Sequence, residues 1–252
     1  MKKKNTISDL DNPNKTLEHR SLILSKPFLK KIYTDWYQLF IRVSKSVQQQ
    51  GHFVEIGSGG GFLKTMFPEV ITSDILQLPH VDLNFSAEKM PFENNSVSCI
   101  MMLNVFHHIP RPYLFLREAE RVLVEGGKII MIEPANTFFS RFVYKHFHHE
   151  PFDPKGAMEI NPGNPLSNSN QALPYIYFER ESDLFRQEYG SLNINYIHYH
   201  TPFRYILSGG LSRKTLVPTK LYGFIAGIEK ILSPLSKYIG LFCTIEIEKT
   251  KS

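Results

Sequence analysis

The sequence has little cysteine, a single tryptophan and no long hydrophobic run. Its two cysteines, Cys99 and Cys243, each lie inside an apolar, strand-like stretch. We therefore expect two buried small side chains in a protein of the reducing cytosol. No uninterrupted apolar stretch is long enough to span a bilayer, and residues 5–20 are too polar for a secretory signal.

A strong excess of charge of one sign is also absent. The formal net charge is +5 in 252 residues, and most of the lysines are scattered along the chain, so nucleic acid is not required as a partner. No repeat period is visible. The length and the ordinary apolar content fit one large α/β domain with insertions.

Glycine, in contrast, is concentrated at one place. In residues 54–61, Val-Glu-Ile is followed by Gly-Ser-Gly-Gly-Gly. This pattern is typical of a strand that enters a turn with an exposed backbone. A cofactor commonly lies on such a turn. The dinucleotide fingerprint would need a small residue where Phe62 stands, so a nicotinamide or flavin pyrophosphate is disfavoured.

With Glu55, Gly57, Gly59 and Gly61 in place, this segment resembles motif I of the class I methyltransferases that use S-adenosylmethionine. Within that superfamily, the chain is similar to the small-molecule branch called type 11. The resemblance covers about residues 50–135 well. It implies S-adenosylmethionine as the cofactor and an α/β fold with a doubly wound, seven-stranded, mainly parallel sheet, the Rossmann-like methyltransferase fold, in which the last strand is antiparallel.

Strands that alternate with helices favour the same architecture, because right-handed crossovers place helices on both faces of a mainly parallel sheet. Periodicity predicts strands over residues 52–56, 70–73, 81–85, 97–103, 128–132, 192–200 and 241–247, and helices over 29–47, 62–67 and 113–124. Glu125-Gly126-Gly127 is interpreted as the stop of the last of these helices.

The predicted organisation is an N-terminal tail and helix over residues 1–50, followed by a methyltransferase domain over 51–252 with two insertions. The first insertion, about 135–180, is rich in proline and aromatic residues and is interpreted as a lid. The second, about 203–240, has an unusually wide apolar helical face. Its part near 221–235 carries lysines among apolar residues and could rest on a membrane surface; core packing and a dimer contact are the alternatives.

Two acids end neighbouring predicted strands. Glu55 and Asp74 lie about twenty residues apart, the spacing at which an acid reaches ribose hydroxyls in doubly wound sheets; a helix cap or a surface acid is the alternative. By resemblance, Asp74 is the ribose ligand and Glu55 lies near the methionine ammonium group. Ser86 stands where the family usually has an aspartate beside adenine. The complete set of predicted cofactor contacts is Glu55, Gly57, Ser58, Gly59, Gly61, Asp74, Ile75, Ser86, Ala87 and Asn104.

The predicted catalytic residues are His107, His108, His149 and Glu150. Leu-Asn-Val-Phe-His-His-Ile-Pro after the fourth strand resembles the family's Leu-His-His-Ile continuation, and one of the two histidines there could act as a general base near neutral pH. The alternative is a pair of helix-start histidines satisfied by backbone groups. On the predicted lid, His149 or Glu150 could deprotonate or orient the acceptor, or else anchor the lid.

A histidine-rich stretch in the first insertion invites comparison with a metal site. It holds His146, His148, His149, Glu150 and Asp153. The spacing His-x-His-His-Glu matches no common ligand pattern, and methyl transfer from a sulfonium needs no metal. We therefore expect no metal from the sequence.

The function that the sequence favours is transfer of a methyl group to a small-molecule or lipid-linked acceptor. No nucleic acid is expected as the acceptor. Enzymes that methylate the exocyclic amines of bases commonly carry, after the fourth strand, an acid or asparagine followed by Pro-Pro and an aromatic residue. This chain lacks that motif. Two alternatives remain open: a protein that binds S-adenosylmethionine without transfer activity, and a nicotinamide-dependent oxidoreductase, which Phe62 disfavours.

Overall fold

The computed structural model describes residues 12–148, 150–160 and 168–250. A seven-stranded sheet with the order β3-β2-β1-β4-β5-β7-β6 forms its centre. The strands are β1 (His52–Ile56), β2 (Ile71–Asp74), β3 (Leu83–Asn84), β4 (Val97–Leu103), β5 (Leu123–Pro134), β6 (Leu192–His200) and β7 (Phe242–Lys249). The predicted fold class is confirmed.

The sheet reverses its direction of growth between β1 and β4. Strands β1 to β5 are parallel to one another. Strand β7 runs antiparallel to both β5 and β6. The chain builds β2 and β3 on one side of β1 and then returns to place β4 on the other side. Ligands of doubly wound sheets bind beyond the carboxyl ends of the strands at such a reversal, here beyond Ile56 and Leu103.

Helices cover both faces of the sheet, as the alternation of elements predicts. They are α1 (Pro13–Ser25), α2 (Pro27–Ser44), α3 (Leu63–Met66), α4 (Pro112–Val122), α5 (Phe138–Phe147), α6 (Leu173–Tyr175), α7 (Ser182–Glu188), α8 (Arg204–Leu207), α9 (Tyr222–Ile231) and α10 (Ser236–Ile239). Side chains of β4 alternate between two cores: Ile100 joins the core that contains α4, and Met101 joins the core that contains α2. Cys99 and Cys243 are both buried and free, as expected.

Helix α1 was not predicted, because its sequence is polar. Only Thr16 and Ile23 of this helix are buried. The local signals are at its start, where the Asn12 side chain accepts a hydrogen bond from the N–H of Asn14 and Pro13 occupies the first turn. From residue 12 onward, the described N-terminal region therefore contains two helices, α1 and α2.

The prediction that Glu125-Gly126-Gly127 stops a helix was wrong. Helix α4 ends at Val122, and β5 begins at the next residue. Val97 pairs with Leu123 while Cys99 pairs with Lys128, so the extra residues bulge out of β5, and Gly126 takes a φ of +73° there. Glycine is common where a strand bulges, which explains why a turn signal lies inside a strand.

The connection from β6 to β7 contains α8, α9 and α10. Glu229 of α9 holds this region together: its Oε1 accepts hydrogen bonds from the backbone N–H groups of Phe203 and Arg204, and its Oε2 accepts one from the Arg204 guanidinium. Within the parts of the chain that the structure describes, none of the helices combines the length and the apolar character needed to cross a bilayer.

Candidate active site

The glycine turn after β1 is shaped by close approaches on two sides. Gly57 and Gly59 have φ of +66° and +39°, a region that favours glycine. A Cβ on Gly57 would lie 2.5 Å from the Val105 side chain, and a Cβ on Gly61 would collide with the Tyr37 hydroxyl. The turn is therefore packed between the segment after β4 and helix α2.

Asp74, at the end of β2, lies against this turn. Its two carboxylate oxygens accept hydrogen bonds from the backbone N–H of Gly59, at 2.9 Å, and of Leu76, at 2.8 Å. Burial raises its pKa above the ordinary value. A carboxylate oxygen can accept more than one hydrogen bond, so Asp74 orders the turn and keeps acceptor capacity for hydroxyl groups of a ligand.

Glu55, the penultimate residue of β1, lies beneath the turn and is 2% exposed. Burial raises the pKa of its carboxyl group to about 8. Ser58 ties β1 to β2 beside it, because its hydroxyl accepts the N–H of Ser73 at 3.2 Å. A positive charge placed near Glu55 would favour its ionised form, and this buried acceptor therefore suits an ammonium group.

A cavity of about 100 Å³ lies beside the turn, lined by Glu55, the glycines, Leu103 and the first two helices. Ligand sites usually measure roughly 300–1,000 Å³. This cavity alone is smaller than such sites, and α1 forms one of its walls; the backbone of Arg20 in α1 lies against Gly60.

The other predicted cofactor contacts lie around the same crevice. Ile75 is 46% exposed directly after Asp74. Ser86 accepts the N–H of Glu88 at 3.2 Å and so orders its own loop, while Ala87 packs against the core. Asn104 has a φ of +56° in the turn after β4. None of these positions conflicts with the predicted contacts, which remain predictions.

A buried carboxylate holds the segment after β4. Glu133, near the end of β5, is completely buried. Its Oε1 accepts the backbone N–H groups of Val105 and Phe106, both at 2.8 Å, and its Oε2 lies 2.6 Å from Nδ1 of His107. The alternative that backbone groups satisfy these histidines therefore fails for His107, whose ring pairs with a carboxylate.

The other face of His107 meets the first insertion. His107 Nε2 lies 3.5 Å from Oε2 of Glu150, and His108 Nε2 lies 4.0 Å from Oε1 of the same residue. Gln171 donates to Glu150 Oε2 at 3.1 Å. Three of the four predicted catalytic residues thus come together, and His149 lies outside the described residues.

The two histidines carry different charges. Burial alone would lower the pKa of His107, but Glu133 and then Glu150 raise it to about 9. Burial, with the charge of His107, lowers the pKa of His108 to about 3. Burial would raise the pKa of Glu150, yet the hydrogen bond and charge of His107 hold it well below the ordinary value. At neutral pH, His107 is an imidazolium between two carboxylates and has no free site for a proton.

Sequence reasoning missed several contributors to the site. Glu133 lies in the segment that leaves β5 toward this end of the sheet, which indicates that it borders the site but not which groups its carboxylate binds. No sequence signal pointed to His80 or Tyr37, because each contacts the glycine turn from a distant segment. The Nε2 atom of His80 lies 2.7 Å from the Gly59 carbonyl oxygen. Gln171 likewise reaches Glu150 only through the return path of the first insertion.

Comparisons with known proteins agree with this fold. A family model described as a methyltransferase domain matches residues 54–131. An S-adenosylmethionine-dependent methyltransferase from Thermotoga maritima is similar in structure, with a TM-score of 0.53 and 17% identity over 95% of this chain and 100% of that one. Phosphoethanolamine N-methyltransferase 2 from Haemonchus contortus, in complex with S-adenosyl-L-methionine, has a TM-score of 0.51 and 14% identity over 98% of this chain and 60% of that one.

These two likenesses concern the fold. No curated protein matches the chain by sequence.

We expect Gly61→Ala to destabilise the protein by about 1–3 kcal/mol, because the added Cβ overpacks the turn. The Tyr37→Phe substitution removes the colliding oxygen and should restore part of the loss in the double variant. Urea unfolding measures both effects. Gly190→Ala is the control, since a Cβ there meets nothing within 4 Å; equal losses in the two alanine variants would contradict the packing argument.

We expect Glu55→Gln to stabilise the cofactor-free protein at alkaline pH. The folded-state pKa of Glu55 is about 8 against an ordinary 4.5, so the stability linked to its proton is complete below the ordinary value and is lost as the pH rises through about 8. Thermal unfolding should show a higher Tm for the variant at about pH 9 and little difference at about pH 4. A Tm difference that is the same at both pH values would contradict this assignment.

Proposed function

Because the chain belongs to the class I methyltransferases, whose methyl donor is S-adenosylmethionine, we propose that this enzyme methylates a small-molecule or lipid-linked acceptor. The observation that carries the proposal is the position of the cluster of His107, His108 and Glu150. Its two histidines lie on the turn that follows β4, which packs against the glycine turn through Val105, and Glu150 joins them from the first insertion. Donor and acceptor groups would then meet at the reversal between β1 and β4.

The donor end of the crevice fits the cofactor. Asp74 would hold the ribose hydroxyls, the glycine turn would lie along the amino-acid end, and Glu55 would pair with the ammonium group. The sulfonium supplies an already activated methyl group, so alignment of the acceptor in line with it provides most of the catalysis. Helix α1, whose Arg20 backbone lies against Gly60, would border the amino-acid end of the cofactor.

Where the methyl acceptor would bind, the described side chains of the crevice offer hydrogen-bonding groups but no strong base. Glu150 would orient an acceptor hydroxyl or amine, and His107, whose ring nitrogens face Glu133 and Glu150, would hold the Glu150 carboxylate in place. His108 is neutral and can accept a proton. Its low pKa makes it a weak base, which suits an acceptor whose proton is lost late in the transfer.

An exposed apolar surface favours a lipid-linked acceptor. In α9, Tyr222 and Ile225 are buried, whereas Phe224 is 68% and Ile231 is 78% exposed. Core packing therefore does not account for the outer face of this helix. Helix α10 packs against α5, which extends the surface by further exposed side chains: Phe138, Phe142, Phe147, Leu235 and Tyr238.

Basic residues lie within and beside this apolar surface. Lys220, Lys230 and Lys237 are exposed in the α9–α10 region, and Arg141 and Lys145 are exposed on α5. Aromatic and aliphatic side chains with basic neighbours bind anionic membrane surfaces through burial and charge together. We therefore assign the surface to an anionic membrane, from which a lipid-linked acceptor could enter the site.

We expect Asp74→Ala to weaken binding of S-adenosylmethionine roughly 10–100-fold, because it removes charged hydrogen-bond acceptors. Calorimetry measures the affinity, and incorporation of radiolabelled methyl groups into the lipid and aqueous fractions of a cell extract measures transfer. Asp183→Ala is the control, since Asp183 is an exposed acid on α7. Tight binding without transfer to either fraction would favour a non-catalytic binding protein, and label on nucleic acid alone would contradict the proposed acceptor class.

We expect the protein to float with vesicles that contain phosphatidylglycerol, and to be released by high salt. The double substitution Phe224→Asp with Ile231→Asp should abolish flotation, because it places charge on the apolar face. Leu184→Asp is the control, since Leu184 is 38% exposed on α7, outside this surface. A concentration-dependent dimer that the double variant disrupts, without vesicle binding by the wild type, would assign the surface to a second copy of the chain instead.

A further inference from the structure

The cluster beside the crevice has the composition of a metal site. One nitrogen from each of His107 and His108 and one oxygen from Glu150 all lie within 4.8 Å of one another. Two ligands at about 2.1 Å from a shared ion lie roughly 3–4 Å apart. The His107–Glu150 distance of 3.5 Å and the His108–Glu150 distance of 4.0 Å already fall in that range.

Glu133 gives His107 the orientation that a metal ligand requires. Histidines that bind metals usually direct the second ring nitrogen to a carboxylate, which fixes the ring and raises its basicity. Here the Glu133 carboxylate, completely buried, lies 2.6 Å from Nδ1 of His107. The opposite nitrogen, Nε2, is thereby directed at Glu150.

A second observation points to a missing group beside the cluster. Gln171 is 3% exposed and donates to Glu150 Oε2, but its own Oε1 is buried with no hydrogen-bond partner among the described residues. Buried polar atoms are nearly always satisfied by protein or by ordered water. A water bound to an ion held by Glu150 would satisfy this oxygen.

We propose that His107, His108 and Glu150 bind a divalent transition-metal ion of the zinc class, with release of the Nε2 proton that His107 otherwise directs at Glu150. Two imidazoles and one carboxylate are a typical three-ligand set for such an ion, and they leave a coordination position for water or for an oxygen of the acceptor. Glu150 and His108 are each 16% exposed, so the position is open to solutes. The sequence spacing favoured no metal, because the ligands come from two distant segments rather than from the His-rich run alone.

The test is direct binding of cobalt(II), without S-adenosylmethionine or acceptor, so its outcome is independent of the proposed methyl transfer. The full chain is stripped with a chelator, and its visible absorption is followed during titration with Co²⁺, with competition by Zn²⁺. We expect saturation at one equivalent and a raised Tm in the presence of the ion. Absence of a stoichiometric, zinc-displaceable spectrum in the wild type would overturn the proposal.

Variants locate the site. His107→Ala and Glu150→Gln should lose the cobalt spectrum, and Glu133→Gln should weaken binding roughly 10–100-fold while the ion remains in place. His146→Ala is the matched control, since His146 belongs to the same His-rich run but is exposed on α5. Circular dichroism verifies that each variant is folded. Loss of the spectrum in His146→Ala, or its retention in a folded Glu150→Gln variant, would contradict the assigned ligands.

Discussion

The site depends on one carboxylate that has no access to water. Burial of the Glu133 carboxylate without partners would cost several kcal/mol. Hydrogen bonds from two backbone N–H groups and one imidazole offset this cost. These donors all come from the segment after β4. The Glu133 carboxylate, near the end of β5, therefore determines the path of the chain after β4.

This constraint links the two halves of the crevice. Parallel pairing sets Leu103 beside Ile132, and the Asn104 N–H then bonds to the Ile132 carbonyl oxygen at 2.9 Å, so the turn begins where β5 still supports it. Val105, held by Glu133, packs on Gly57. A displacement at the histidines would consequently be transmitted to the glycine turn through the Val105 side chain, because the contact of Val105 with Gly57 leaves no free space.

Sequence periodicity predicted the order of elements well, because buried parallel strands are apolar runs and the acids that end them are local signals; Glu55 and Asp74 were found in this way. It failed where structure is set by distant partners. Helix α1 is polar and gains its place from the glycine turn that it covers. Glu150 reaches His107 only because the first insertion folds back, with the Asn170 N–H bonded to the His107 carbonyl oxygen, and no spacing in the sequence encodes that return.

The charge balance of the cluster indicates which partners suit it. The carboxylates of Glu133 and Glu150 face a single imidazolium, that of His107, so these three side chains together carry one net negative charge in a largely buried place. Uncompensated charge is costly there. A cation that approached Glu150 would lower that cost, whether it is a metal ion or a positively charged group of a ligand. An anionic acceptor would be repelled unless an ion lay between it and Glu150.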